Sequence, residues 1–519
     1  MTDRREPGQA RLENDGDSQN RTGNLPMATT PRAKKKLKNI SEIRRYFHRN
    51  ETPIYFISAT NFNLLGMDEW AKNFKFINYL DCYDGRHPNT FVPSPEPHPE
   101  FESIEDINNY LLQHKEVQDF INNRGKKPKA VFLMFDEKTE ALAKEAGLQT
   151  WFPKAKLRSK LDDKIETVRI GNKAGVPSVP NALGKVDSYA ELSKIAKAAK
   201  LGNDLVVQTA YGDSGHTTFF ISKETDWKRH ADEIVGQGEV KIMKRVDVRQ
   251  AAIEACTTKA GTIVGPLMTE IVGFKELTPY RGGWAGNEIF ADSFTPELRE
   301  KARDMTFKFG EQLRKEGYRG YFELDFLIDK KTNEMWLGEL NPRVTGASSM
   351  TNHAAFAHAD APLFLFHLLE FSGVDFDFDV AALNDRWADP DNIDSWSQIV
   401  LKHTEDEVDI ITNAPQSGIY HMNEDGSVEY SRFDYHRRAV ESENECFFLR
   451  IAGPGDYRYE GADLGILITR GRLMSKDFKL NARAKKWIAG IRGAYTGRSL
   501  KTAEPIPAPA LQPGAFKIL

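Results

Sequence analysis

Cysteine is scarce in this chain: Cys82, Cys256 and Cys446 are the only three in 519 residues, and they lie far apart. That spacing gives neither a disulfide framework nor a cysteine-rich zinc site, and it points to a reducing, cytoplasmic setting. No apolar run approaches the ~20 residues of a bilayer span. The N-terminus carries Arg4, Arg5, Glu6 and Asp15 and lacks the apolar stretch of a secretory signal. The formal net charge is −4, so the chain has no general affinity for nucleic acid. Its one basic cluster, Lys34-Lys35-Lys36 with Lys38, sits in a polar tail and reads as a solvated arm. A GxGxxG fingerprint is missing too, so no dinucleotide is assigned. What remains is 40% hydrophobic and 28% charged, a globular composition long enough for several domains.

Residues 1–45 are polar with little apolar periodicity and are expected to be disordered. Short apolar runs at 54–59, 74–80 and 130–135 read as strands. Helical patterns at 104–123 and from Asp136-Glu137 to Gly147 alternate with them, so 46–155 is expected to be a small α/β domain. A second region spans 156–375. It holds a helix from Asp163-Lys164 to Ala174-Gly175, a helix at 188–200, strands at 205–209, 217–221 and 240–243, and a helix capped by Thr295 with Pro296 at its first position. A third region, 376–495, has short strands at 397–401, 418–422 and 465–469 and a closing helix with Ala482, Ala484, Trp487 and Ile491. Residues 496–519 form a Pro-rich tail. The fold class is α/β (α+β).

The most informative stretch is 322–343, FELDFLIDKKTNEMWLGELNPR. Its apolar flanks behave as strands and its centre, Lys330 to Glu334, as a turn. In such a hairpin Asp325 faces Glu339, and Asn341 lies two residues on along the same face. Two carboxylates and an amide oxygen make a hard-oxygen site suited to Mg²⁺, which shares its shell with water and phosphates. Arg343, on the same parity, suits a carboxylate or phosphate. Upstream, Gly212-Asp213-Ser214-Gly215 between two strands fits a phosphate cover, because glycines let backbone N–H groups approach an anion. The segment Tyr280 to Glu288 is expected to be a loop in which Arg281 pairs with a substrate carboxylate and Trp284 covers an apolar or cationic group.

In this order the segments resemble the ATP-grasp superfamily, and biotin carboxylase in particular, over roughly residues 53–493. The resemblance implies a three-lobed body: a Rossmann-like pre-ATP-grasp domain, the ATP-grasp domain, and a β-rich C-terminal lobe like that of biotin carboxylase. It makes Lys164 an ATP-binding lysine, about 205–245 a flap, and Gly212 to Gly215 the glycine-rich part of that flap over the phosphates. Met243-Lys244-Arg245-Val246 becomes the hinge whose backbone binds adenine. Asp325, Glu339 and Asn341 become metal positions for Mg²⁺ (or Mn²⁺), and Arg343 becomes the residue that orients substrate. The implied chemistry is ATP-dependent activation of a small carboxylic acid as an acyl phosphate, followed by attack of an amine or thiol, in a cytoplasmic and possible homodimeric enzyme with no nucleic-acid or membrane partner. Two departures stand out. Gln208 occupies the place of a second phosphate lysine; an amide still donates a hydrogen bond but brings no charge. Ala347 occupies the place of the glutamate that acts as base toward bicarbonate, and small residues there leave room for a larger acid. The Met-Lys-Met type of biotin attachment sequence is missing. A carboxylase using bicarbonate, and an ATP-binding module without catalysis, are the alternatives to a carboxylate–amine ligase.

Overall fold

Every residue of Ile54–Ser58 is buried, the pattern of a strand covered on both faces. In the computed structural model, which describes residues 36–125, 127–212, 217–353 and 361–500, it is the middle of a parallel sheet. The order is Thr90–Phe91, Phe74–Asn78, Ile54–Ser58, Lys129–Phe132, Gln149–Thr150. The expected helix at 104–123 is two helices, Ile104–Gln113 and Lys115–Asn122. They meet at His114, whose Nδ1 accepts from the Glu116 N–H and caps the second. Structure also starts earlier than expected. Ile40–His48 is a helix that begins inside the segment read as disordered, capped by Asn39 and held by buried Ile43 and Phe47 at helical spacing.

The flap is an antiparallel sheet in the order Asn181–Lys185, Glu239–Lys244, Leu205–Gln208, Thr218–Ile221. Leu205, Val207, Val240 and Ile242 pack against Leu192, Ala196, Trp227 and Ile234 of the helices Tyr189–Ala198 and Glu224–Ile234. By the two-residue period, Val206, Gln208, Lys241 and Met243 occupy the opposite face.

A second antiparallel sheet runs without a break from the middle region of the chain into the C-terminal region. Its order is Met335–Asn341, Gly320–Asp329, Val248–Thr258, Met268–Val272, Trp284–Ile289, Trp396–Lys402, Asp463–Arg470, Glu445–Arg450, Gly418–Met422, Val428–Arg432. The helix Pro296–Lys315 buries Leu298, Ala302, Met305, Phe309 and Leu313 against it, as its stripe predicts. Two expectations are corrected. Trp284 to Glu288 is strand rather than loop, because partners on both sides pair with it. In the expected tail, Thr496–Ser499 pairs with Asp409–Asn413. No described helix is long and apolar enough to cross a membrane.

Candidate active site

The hairpin of Gly320–Asp329 and Met335–Asn341 sets Asp325 opposite Glu339 and Glu323 opposite Asn341. The facing pair deduced from the sequence is present, with Asn341 beside it. One residue, Gly338, bulges out below the pair, so that Leu327 meets Trp336. Glu323, not nominated from the sequence, joins the acids, and Glu254 faces it from the next strand. Burial pushes the Asp325 carboxyl well above its ordinary range; Glu270, Glu323 and Glu339 push the same way, and Arg343 opposes them. Glu323 is raised by burial and then by Glu254 and Glu270. Burial and Glu339 push Glu270 up to about 7. Acids crowded in this way favour a bound cation.

The helix Lys164–Ala174 brings the first lysine to these acids. Asp163 caps it, accepting from the Ile165 N–H at 2.6 Å, and Gly175 closes it at φ 70°. Lys164 thereby sits in the first turn with Nζ 3.0 Å from Glu339 Oε1, and it donates to the Gly212 carbonyl. Asp213, Ser214 and Gly215, expected in the phosphate cover, lie outside the described residues. The Gln208 side chain donates to Thr218 Oγ1 at 3.1 Å.

Directly across the strand pair from Gln208 stands Lys241. It is 1% exposed, and its Nζ donates to the Gly338 carbonyl at 3.3 Å. Burial lowers its ammonium to about 8, with Glu339 pulling upward and Lys164 downward. A buried ammonium thus stands one strand away from Gln208. Sequence reasoning passed over Lys241, although a lysine inside an otherwise apolar Val-Lys-Ile-Met strand is itself a signal.

An apolar cluster of Val179, Val206, Met243 and Trp336, with Val246 and Leu327 packed against it, includes two residues, Val206 and Met243, of the flap face that carries Lys241. At the hinge, the Lys244 and Arg245 N–H groups donate to Pro180 and Asp204 carbonyls at 3.1 and 3.0 Å. The Val246 N–H makes no hydrogen bond among the described residues.

Arg343 donates through Nη2 to Asn341 Oδ1 at 2.9 Å, and its Nε lies 3.9 Å from Asp162. The Asn341 Nδ2 faces Glu323 and Asp325 at 3.3 and 3.5 Å. The amide thus shows the acids its nitrogen, and a half-turn about its last torsion would show them its oxygen. Among the described residues no three His, Cys, Asp or Glu side chains converge as a self-sufficient metal centre. Two carboxylates and an amide instead suit a hard divalent ion that completes its shell with water and phosphate.

Arg281 is exposed in the turn before the Trp284–Ile289 strand. Trp284 is half-buried; its Nε1 donates to Asn287 Oδ1 at 3.0 Å, and its ring lies on Gly346. Ala347, where small residues were expected to leave room for a larger acid, is 2% exposed and packs in a core cluster that joins the N-terminal domain to the long antiparallel sheet. Glu254 holds this segment down. Its carboxylate accepts from Thr345 at 3.1 Å, from Ser348 and Tyr321 at 2.5 Å, and from Thr351.

No protein-family model matches the chain. Biotin carboxylase from Campylobacter jejuni, solved with an ATP analogue, superposes with a TM-score of 0.59 at 13% identity, covering 86% of this chain and 92% of that one. The biotin carboxylase domain of Hydrogenobacter thermophilus 2-oxoglutarate carboxylase, solved with MgADP, ADP and bicarbonate, gives 0.57 at 13% identity over 87% and 92%. The chain has the ATP-grasp fold. Thermotoga maritima phosphoribosylamine–glycine ligase shares it, with a TM-score of 0.53 at 12% identity over 86% and 97%. In sequence, the ATP-grasp chain is 23% identical over 222 residues to the small subunit of the Hydrogenobacter 2-oxoglutarate carboxylase. That match spans 41% of this chain and 44% of the subunit, under half the length of either.

Proposed function

We propose that this chain is an ATP-dependent ligase that activates a carboxylic acid as an acyl phosphate for attack by an amine. The observation that carries this reading is the joint arrangement of two lysines, Lys164 and Lys241, with the facing acids Asp325 and Glu339. Adenine would lie against this apolar cluster, with the Val246 N–H as donor, and the triphosphate would extend to the lysines. Asp325, Glu339 and Asn341 would hold Mg²⁺, which when bound neutralises phosphate charge. Arg343 places the substrate carboxylate. A carboxylate oxygen forms a bond to the γ-phosphorus, and ADP leaves with the bonding pair. The amine nitrogen then attacks the carbonyl carbon, phosphate departs, and the nitrogen loses its proton. The protein contributes charge and position rather than a covalent group.

The similarity to biotin carboxylases favours a second reading, carboxylation with bicarbonate. Ala347 weighs against it, since it cannot take a proton and is buried.

The test is ADP release from Mg-ATP over a panel of carboxylic acids with hydroxylamine as trap. A hydroxamate from at least one acid is expected. ADP release that depends on bicarbonate alone, without hydroxamate, would replace the ligase with the carboxylase. No release, with ATP bound, would leave a non-catalytic ATP-binding module.

A further inference from the structure

Beyond the acid hairpin the same sheet carries a second polar row. Glu270 stands opposite Asn287, and Asn287 opposite Gln398, on the three adjacent strands Met268–Val272, Trp284–Ile289 and Trp396–Lys402. Cross-strand partners leave the same face, with Cβ atoms about 5 Å apart. Gln398 is fully engaged: its Nε2 donates to the Gly346 carbonyl at 2.9 Å, and its Oε1 accepts from Ser349. Asn287 is half engaged. It is fully buried, and its Oδ1 accepts from the Trp284 indole, which fixes the orientation of the amide. Its Nδ2 has no partner among the described residues. Buried donors are rarely left unpaired, so an orphan on this face, beside Glu270, points to a missing acceptor. Glu270 is half-buried, and no donor reaches its carboxylate among the described residues.

A free donor and a free anionic acceptor side by side define a ligand with the opposite pattern. We propose that Asn287 and Glu270 dock the nucleophile: a primary amine that carries a neutral oxygen, such as a hydroxyl or an amide carbonyl, two or three bonds from its nitrogen. The amine docks as its ammonium on Glu270 and reacts as the free base after losing one proton to solvent, while its oxygen accepts from Asn287 Nδ2, with Trp284 beside Asn287. The charge of Glu270 repels a carboxylate, which leaves the activated acid on the Arg343 side. This assignment rests on the ligase reading and adds to it the class of the second substrate.

The test uses the full chain, Mg-ATP, and the acid that gives hydroxamate in the trapping assay. Ethanolamine and ethylamine are compared as nucleophiles, since they have similar size and charge and differ by one hydroxyl. Ethanolamine should have at least a tenfold higher kcat/KM. Asn287→Ala should bring the two together, and Glu270→Gln should lower both relative to hydroxylamine, which is uncharged at neutral pH. The parent comparison needs no variant to fold. Equal use of the two amines, a preference that survives Asn287→Ala, or hydroxamate without coupling of either amine would overturn the docking proposal and leave the ligase reading standing. If no acid gives hydroxamate, the ligase reading fails and the docking proposal falls with it.

Discussion

Replacing Lys241 with Met separates two consequences that a surface lysine would not show. The side chain is 1% exposed and its ammonium sits at about 8 rather than 10.5. At ~1.4 kcal/mol for each tenfold change in protonation, holding that charge costs the folded chain about 3 kcal/mol at neutral pH. Met keeps the aliphatic volume and removes the cost, so Lys241→Met should be as stable as the parent or more stable, by up to roughly 3 kcal/mol. The charge has its use in the nucleotide complex. A charge-assisted hydrogen bond to phosphate contributes about 1.5–3 kcal/mol, so kcat/KM for Mg-ATP should fall by roughly 10- to 150-fold.

The pH dependence gives an independent reading. Above pH 8 the parent loses the Lys241 charge, so kcat/KM for Mg-ATP should decline from that point, whereas Lys241→Arg, charged throughout, should lack the decline. The sign for stability follows from proton uptake. Between pH 8 and 10.5 the unfolded chain binds the extra proton, so stability rises with pH there, and Lys241→Met should remove that slope. Chemical denaturation and steady-state kinetics on the same preparations suffice. A Met variant that is clearly less stable, or that keeps kcat/KM within about threefold, refutes the reasoning.

Glu339→Gln should lower ATP turnover by more than roughly tenfold, about 1.4 kcal/mol of transition-state stabilisation, while circular dichroism shows the fold retained; full activity in a folded variant would remove Glu339 from the metal site. Glu270, raised from 4.5 to about 7, binds more protons folded than unfolded, so stability should fall as pH rises through that window. Millimolar Mg²⁺ should therefore raise the melting temperature more at pH 7.5 than at pH 5, and an equal effect at both would contradict this. Gly346→Ala should destabilise by about 1–3 kcal/mol, because a Cβ there would lie 2.2 Å from Trp284 Cη2. Adding Trp284→Ala should recover part of that loss, and strict additivity in denaturant titrations would show that the two do not touch.

Local periodicity made the acid hairpin legible: two apolar runs around a polar turn fix which acids face one another. The same rule, carried two residues back, would have reached Glu323. Lys241 was harder to find, because its facing Gln208 becomes a partner only once distant strands pair. Glu254, Glu270 and Asn287 are distributed over separate strands, and no spacing in the sequence brings them to one face. Trp284 to Ile289, with two glycines just before it and Gly286 within, carries little strand propensity and is made a strand by its neighbours on both sides. The Ile40–His48 helix did leave a mark, in Asn39 ahead of Ile43 and Phe47, but in a polar setting three residues were too few to outweigh composition.

The unbroken sheet has a mechanical consequence. Interstrand hydrogen bonds run from the acid hairpin through Trp284–Ile289 into Trp396–Lys402, so the facing acids and the C-terminal region share one beam and cannot swing apart as separate bodies. The 181–244 sheet joins that beam only through the chain at 175–181 and 244–248, so any closure over the acids would have to come from it. The C-terminal region is equally inseparable in a practical sense. A chain cut near residue 375 would leave Trp284–Ile289 as a bare edge, a template for intermolecular pairing, and should be recovered as aggregate.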